Sequence, residues 1–302
     1  MGNRSDFDPA HRAKGWYASD TRKAVAGKAN EVILTKQGKL SVEDLSHIEA
    51  VQMGHVMEPV IGQLAAKQLG IELVKIEEEL SHKNEPWLKS HFDFAGKENG
   101  KSILVEAKNY NAGARSKFDA ETGVIPAPDF YQCVHEATVW GCSKVYLAVL
   151  FGGQEFQLFP VEVTEEMKDE FIRQMAMYWG HVVAGTHLPA ESTDQAKLLY
   201  KDAGHQKIAN SQAEFVCQQL FQIKTQIKQL EEQEEKAQAM LQEYLKDAST
   251  LVSVDGQVLC TWKAAKPSKR FSSTLFQQSM PDVYNSFVVE QPGSRRFLVK
   301  GS

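Results

Sequence analysis

The 302-residue chain has no run of eighteen apolar residues, the length at which a helix begins to cross a bilayer. Residues 1–16 are polar and mixed in charge where a secretory leader needs an apolar stretch. Neither a membrane span nor a leader is expected, and the expected location is the cytosol. Cysteine is scarce: the four stand at 133, 142, 217 and 260, with no C-x-x-C pair and no histidine pattern beside them. That spacing argues against a zinc site or a disulfide framework and fits reduced thiols. The nine histidines are scattered. Only His135, three residues after Gln132 on the same helical face, falls near the candidate site below, and a packed or surface histidine is the plainer account of it. Positive charge is also short, with a net charge of −5, which by itself speaks against a nucleic-acid binder.

The charge is unevenly spread. Residues 251–302 hold seven basic and three acidic side chains, so they carry +4 and the preceding 250 residues carry −9. Part of the negative charge is concentrated in Glu231-Glu232-Gln233-Glu234-Glu235. A carboxylate-rich centre facing a cation, with a basic appendage tracking phosphates, is one arrangement consistent with this split. A hydrophobic content of 42% and a charged content of 24% describe a globular protein. The length allows one ordinary domain with an appendage, or two small domains.

Apolar residues at 45, 48, 56, 60, 61, 64 and 65 give residues 42–69 a helical period, and Gly70 stops it. Strands follow at 72–80, 88–95 and 102–108, then a connection of about twenty residues carrying Gly113, Gly123, Pro126 and Pro128. Connections of that length are commonly functional or disordered. Asp129 caps a helix running to Trp140, and two strands, 145–150 and 155–163, meet at Gly152-Gly153. Thr164-Glu165-Glu166 opens a further helix with a hydroxyl cap and acids in its first turn.

Asp93 lies on the strand before the turn Gly96-Lys97-Glu98-Asn99-Gly100, and Glu106-Ala107-Lys108 closes the apolar run Ile103-Leu104-Val105. Side chains alternate along a strand, so Glu106 and Lys108 share one face while Ala107 points into the other layer. A hairpin at 96–100 brings Asp93 back beside Glu106. Two carboxylates suit a hard divalent cation that keeps several waters. The lysine suits orienting or deprotonating a water and neutralising charge on a phosphate. A solvated strand end with alternating charges accounts for the same triplet without chemistry.

Neighbouring motifs sharpen the reading. Gly54-His55-Val56-Met57-Glu58, Pro86-Trp87-Leu88 ahead of Asp93, Glu106-Ala107-Lys108, and Tyr131-Gln132-Cys133-Val134-His135 occur in an order that resembles the YqaJ-type phage recombinases. These are relatives of the phage lambda exonuclease within the PD-(D/E)XK nuclease superfamily, and the resemblance runs from about Arg22 to Gly180. It implies an α/β fold, a mixed sheet flanked by helices with a restriction-endonuclease-like core. It also implies that Asp93, Glu106 and the backbone carbonyl of Ala107 hold Mg²⁺, or Mn²⁺, with Glu58 completing the set through water. Lys108 is then the catalytic lysine, Gln132 steadies it or the scissile phosphate, and Arg22 matches an arginine that grips the 5′-phosphate of a DNA end. The chain departs from the family pattern in two places. Lys23 to Ala29 lacks the small hydroxyl residues that usually follow the arginine, and Phe92-Asp93-Phe94 stands where Pro-Asp-Gly is usual.

From about 209 to 246 the character changes. Val216, Leu220, Ile223, Ile227, Leu230, Ala237, Leu241 and Tyr244 alternate by four and three, interrupted at Glu234. This is a coiled-coil seam or one arm of a helical hairpin, and packing on the chain's own core or on a partner protein explains it as well. A β-hairpin follows over 250–262 with Asp255-Gly256 at its turn. Lys263, Lys266, Lys269 and Arg270 then form either a DNA-binding segment or a solvated basic loop, and 296–299 reads as an edge strand. The expected division is a nuclease domain over 1–205, a long helix over 206–249 and a small basic β-containing region over 250–302.

The resemblance implies a Mg²⁺-dependent 5′-to-3′ exonuclease on double-stranded DNA ends. It would be a phage or prophage protein in a bacterial host, handing 3′ overhangs to a single-strand annealing protein and working as a homo-oligomer, a ring in several relatives. Two alternatives stand beside it: a structure-selective or restriction-like endonuclease using the same site, and an inactive nuclease-like DNA-binding or assembly module.

Overall fold

A computed structural model describes residues 9–41, 45–119, 121–290, 293 and 295–300. The chain divides into two compact units, the first ending at Leu199 and the second beginning at Tyr200.

The first unit opens with α1 (Pro9–Arg12), β1 (Trp16–Tyr17), α2 (Ala18–Lys23) and α3 (Ala29–Lys36), the last two joined by a kinked turn at Gly27, whose φ is 82°. Next come α4 (Glu49–Leu69), β2 (Leu73–Lys75), β3 (Leu80–Ser81), β4 (Leu88–Ser90), β5 (Phe94–Glu98) and β6 (Lys101–Tyr110). After these follow α5 (Ala127–Trp140), β7 (Lys144–Phe151), β8 (Glu155–Glu162), α6 (Glu165–Ala184) and α7 (Thr193–Leu199). Five strands form one mixed sheet in the order β2-β5-β6-β7-β8, in which β6 and β7 are parallel and the other pairs antiparallel. A second sheet has the order β1-β4-β3.

Period-two alternation explains the two layers. On β7, Val145, Leu147 and Val149 face a core shared with α3, α5 and α6, while Tyr146, Ala148 and Leu150 face Ile61 and Ala65 of α4. On β6, Ile103 and Val105 join the α4 layer and Leu104 joins the other. Helices on both faces of a mixed sheet make the α/β class expected from the sequence.

Several boundaries differ from the sequence reading. The first long helix begins at Glu49; residues 42–44, where it was expected to start, lie outside the described residues. The expected strand at 72–80 is two short strands, β2 and β3, in different sheets, and 88–95 likewise splits into β4 and β5. The cause lies at residues 91–93, where the chain leaves one sheet and enters the other. Asp129 does not cap α5. Pro126 is the residue before the helix, and Asp129 lies in its first turn with its side chain buried.

In the second unit α8 (Ser211–Leu245) is one helix of 35 residues, with Asn210 capping it through a 2.9 Å bond from the Ala213 N–H. β9 (Thr250–Val252) and β10 (Val258–Thr261) form the expected hairpin, with Gly256 at φ 82° in its turn. Two short helices, α9 (Ser273–Ser279) and α10 (Pro281–Ser286), follow. Residues 296–299 form no strand, in contrast to the edge strand expected there. Among the described residues no helix is long and apolar enough to cross a membrane.

Candidate active site

The site lies where β5 ends alongside β6. The two strands pair from Glu98↔Lys101 to Phe94↔Val105 and no further, so from Glu106 onward β6 has a ladder partner on its β7 side only. The turn that makes this hairpin is Asn99-Gly100, with φ of 50° and 79°, and Gly96 is inside β5. Asp93, the residue before β5, occupies the gap. Its Oδ2 accepts the Ala107 backbone N–H at 2.9 Å. In an extended residue N–H and C=O leave the strand on the same side, so the Ala107 carbonyl also faces this gap.

Glu106, Lys108 and Tyr110 share the β6 face that meets α5. Glu106 is 5% exposed, and its Oε1 accepts from Lys108 Nζ at 2.6 Å and from Gln132 Nε2 at 2.5 Å. One turn along α5, Glu136 Oε1 takes a second bond from the same Gln132 nitrogen at 3.0 Å. Glu58, buried on α4, pairs with Lys75 of β2 at 2.9 Å. Arg22 of α2 donates from Nε to Asp129 Oδ1 at 3.0 Å and from Nη2 to the Tyr110 hydroxyl at 2.8 Å, and that hydroxyl donates to Asp129 at 2.7 Å. Two residues along β6 are about 7 Å, so Arg22 joins the row two positions beyond Lys108.

Electrostatics follow from this crowding. Burial pushes the Asp93 carboxyl well above its ordinary range, and the negative charges of Glu106 and Glu58 push it further. The Glu136 carboxyl rises for the same reasons, burial first and then Glu106 and Asp93. Burial alone would lower the Lys108 ammonium, but Glu106 and Asp93 outweigh it and hold the lysine charged.

The donor set fits a hard divalent cation. Asp93 in the gap and Glu106 on the adjoining β6 face are close enough for their charges to repel, a repulsion that a cation relieves, and a hard divalent ion takes such carboxylate and carbonyl oxygens while retaining waters. Gln132 Oε1, buried beside Glu106, has no hydrogen-bond partner, a position open to a donor such as a bound water. Among the described residues no three His, Cys, Asp or Glu side chains converge into a closed cage. The reason is visible in the pairings: Lys75 takes up Glu58, while Lys108 and Gln132 take up Glu106.

Lys263, Lys266, Lys269 and Arg270 are all exposed in the extended segment after β10 in the second unit. His135 proves to be a packing residue. It is wholly buried, its Nδ1 lies 2.8 Å from Thr21 Oγ1 and its Nε2 2.8 Å from the Lys89 carbonyl oxygen, and its ring meets Phe171.

Four members of the constellation were not picked out as site residues from sequence. Glu136 had a signal, since it stands four residues after Gln132 on one helix face. Tyr110 had one too, continuing the alternation of 106 and 108. Asp129 and Lys75 had none, because their partners come from distant segments.

Residues 10–143 match the family described as the YqaJ-like viral recombinase domain. A Bacillus subtilis (strain 168) protein described as the uncharacterized protein YqaJ is 25% identical over 279 residues, spanning 89% of this chain and 85% of its own length. Two solved structures are similar at low identity. An alkaline exonuclease from Laribacter hongkongensis is 14% identical with a TM-score of 0.48, covering 58% of this chain and 91% of that one. A phage related exonuclease from Haemophilus somnus 129PT is 13% identical with a TM-score of 0.41, covering 54% and 82%. The stretch that matches the YqaJ-like viral recombinase domain spans Asp93, Glu106, Lys108 and Gln132.

Proposed function

We propose that the protein is a Mg²⁺-dependent deoxyribonuclease, a 5′-to-3′ exonuclease that resects double-stranded DNA ends for recombination by single-strand annealing. The observation that carries this reading is the bonding of Lys108 and Gln132 to Glu106 on β6, next to Asp93 in the gap where β5 stops beside β6. The domain division of 1–205, 206–249 and 250–302, assembly as a homo-oligomer and delivery of 3′ overhangs to an annealing protein belong to the same proposal.

Asp93, Glu106 and the Ala107 carbonyl would hold the cation, with Glu58 reaching it through water; Mn²⁺ suits the same oxygens. When bound, the metal lowers the pKa of a water and stabilises charge on the phosphate. The protein's own groups do the rest. Gln132 fixes the Glu106 carboxylate. Lys108, with Nζ 2.6 Å from Glu106 Oε1, is placed to orient or help deprotonate the attacking water and to neutralise charge on a phosphate oxygen. Arg22, oriented by Asp129 and Tyr110, grips the phosphate of a 5′ end; its side chain is 40% exposed, which leaves room for a ligand. The exposed basic residues 263, 266, 269 and 270 add salt-dependent contacts to the DNA backbone.

The test is digestion of matched linear, nicked and closed-circular duplexes with strand-specific end labels, in Mg²⁺, Mn²⁺ or EDTA, by wild type and Lys108→Ala. Loss of linear DNA from its 5′ ends that requires both metal and Lys108 is expected. Cutting of the closed circle would establish an endonuclease, and no cleavage of any substrate would leave a binding module.

A further inference from the structure

α8 stands apart from the rest of its unit as an apolar surface. Its 35 residues span about 52 Å at 1.5 Å per residue, and Leu245 at its end is its only buried residue. Val216, Ile223, Ile227, Leu230 and Leu241 are each between 43% and 62% exposed. An isolated helix gains little from its backbone alone, so a seam of this kind calls for a packing partner. The four-three spacing assigns Leu220, Ile227, Glu234 and Leu241 to the a positions of a heptad, and Val216, Ile223, Leu230, Ala237 and Tyr244 to the d positions.

We propose that α8 pairs with α8 of a second copy of this chain as an antiparallel two-stranded coiled coil, with Ile227 of one copy set against Leu230 of the other. The charges select the direction. In a parallel pair each a position meets itself, so two Glu234 carboxylates would face one another inside the seam. Their flanking residues would gain nothing, since Lys224 would meet Gln219 and Glu231 would meet Gln226. Reversal of one helix sets Glu234 against Ile223, Leu220 against Ala237 and Leu241 against Val216, and the two helices overlap along their full length. The same register brings Lys224 of each copy beside Glu231 of the other. Two-fold symmetry makes that opposite-charge contact twice. The pairing joins two copies of the chain independently of the nuclease chemistry proposed above.

The experiment is sedimentation velocity on the full-length chain over a concentration series. Ile227→Asp is expected to halve the mass of the assembly. Lys224→Glu and Glu231→Lys each place like charges together at both contacts and are expected to raise the dissociation constant roughly tenfold or more. The double exchange Lys224→Glu with Glu231→Lys restores opposite charges and is expected to return the constant to within about threefold of wild type. Circular dichroism checks that each variant keeps its helix, and the charge exchange decides the question even where Ile227→Asp unfolds α8. A chain that stays at single-chain mass overturns the proposal, as does an assembly unchanged by Ile227→Asp. Single exchanges that weaken association without rescue in the double variant overturn the antiparallel register.

Discussion

Arg22 and Asp129 meet at 3.0 Å across the packing of α2 on α5, with the acid buried and the arginine 40% exposed. Asp129 lies in the first turn of α5, where a helix favours negative charge, and its carboxylate holds the guanidinium in place. Asp129→Asn keeps the shape and removes the charge. The expected outcome is a raised KM for 5′-phosphorylated ends and a reduced preference over 5′-hydroxyl ends, with kcat changed less. Arg22→Ala should lose the preference altogether. Competition between the two kinds of end measures both, and a preference untouched by either substitution would remove Arg22 from end recognition.

Gly62 is one helical turn beyond Glu58 on α4, and a Cβ added there runs into the Phe94 ring next to Asp93. Glycine to alanine inside a helix normally stabilises by about 1 kcal/mol. Here α4 must instead move away from the sheet, an overpacking cost of roughly 1–3 kcal/mol. Gly62→Ala is expected to lower the thermal midpoint and, by carrying Glu58 away from the site, to lower cleavage as well. Gly54→Ala on the same helix, where nothing lies within 4 Å of the added carbon, is the control and should stabilise.

The parts of this molecule that follow from local pattern were legible in the sequence, and those set by chain crossings were not. Alternation predicted that Glu106 and Lys108 share a face, and the apolar runs predicted β6 and β7. The hairpin was foreseen with its turn over 96–100, but Gly96 sits in β5 and the turn narrows to Asn99-Gly100. A Cβ at Gly96 would lie 2.9 Å from the carbonyl oxygen of Glu72, the residue just before β2, a close approach that no local pattern reveals. The split of 88–95 between two sheets was equally hidden, although it is what places Asp93 in a gap. Lys75 and Asp129 became visible only once β2 lay beside β5 and α2 lay against α5.

Lys108 is held charged by the two carboxylates it serves, so its removal should act on chemistry more than on fold. Lys108→Ala is expected to lower the cleavage rate at saturating metal by about 10²-fold or more, with DNA affinity near wild type. Gln132→Leu frees the Glu106 carboxylate from one restraint and should show a smaller loss, on the order of tenfold, together with a raised metal requirement. Single-turnover cleavage and filter binding at matched salt separate the two effects. A Lys108→Ala enzyme with wild-type turnover would sink the assignment of the site.

His135 makes a pH prediction of a different kind, about stability. Burial lowers its pKa to about 4, partly opposed by the Lys89 carbonyl and by Asp20, while the unfolded chain titrates near 6.5. The folded state therefore keeps the ring neutral where the unfolded state takes up a proton. Its contribution is complete above about pH 6.5 and is lost progressively as pH falls toward 4, below which both states are protonated and the loss stops. A shift of this size corresponds to a few kcal/mol at most. Asp93 and Glu136, whose carboxyls are raised, act in the opposite direction, so the check is the difference between proteins: His135→Gln, which cannot titrate at this position, should start less stable at pH 7 and lose less, or gain more, than wild type between pH 7 and pH 4.5. Parallel slopes for the two proteins would show that the acid loss comes from other groups.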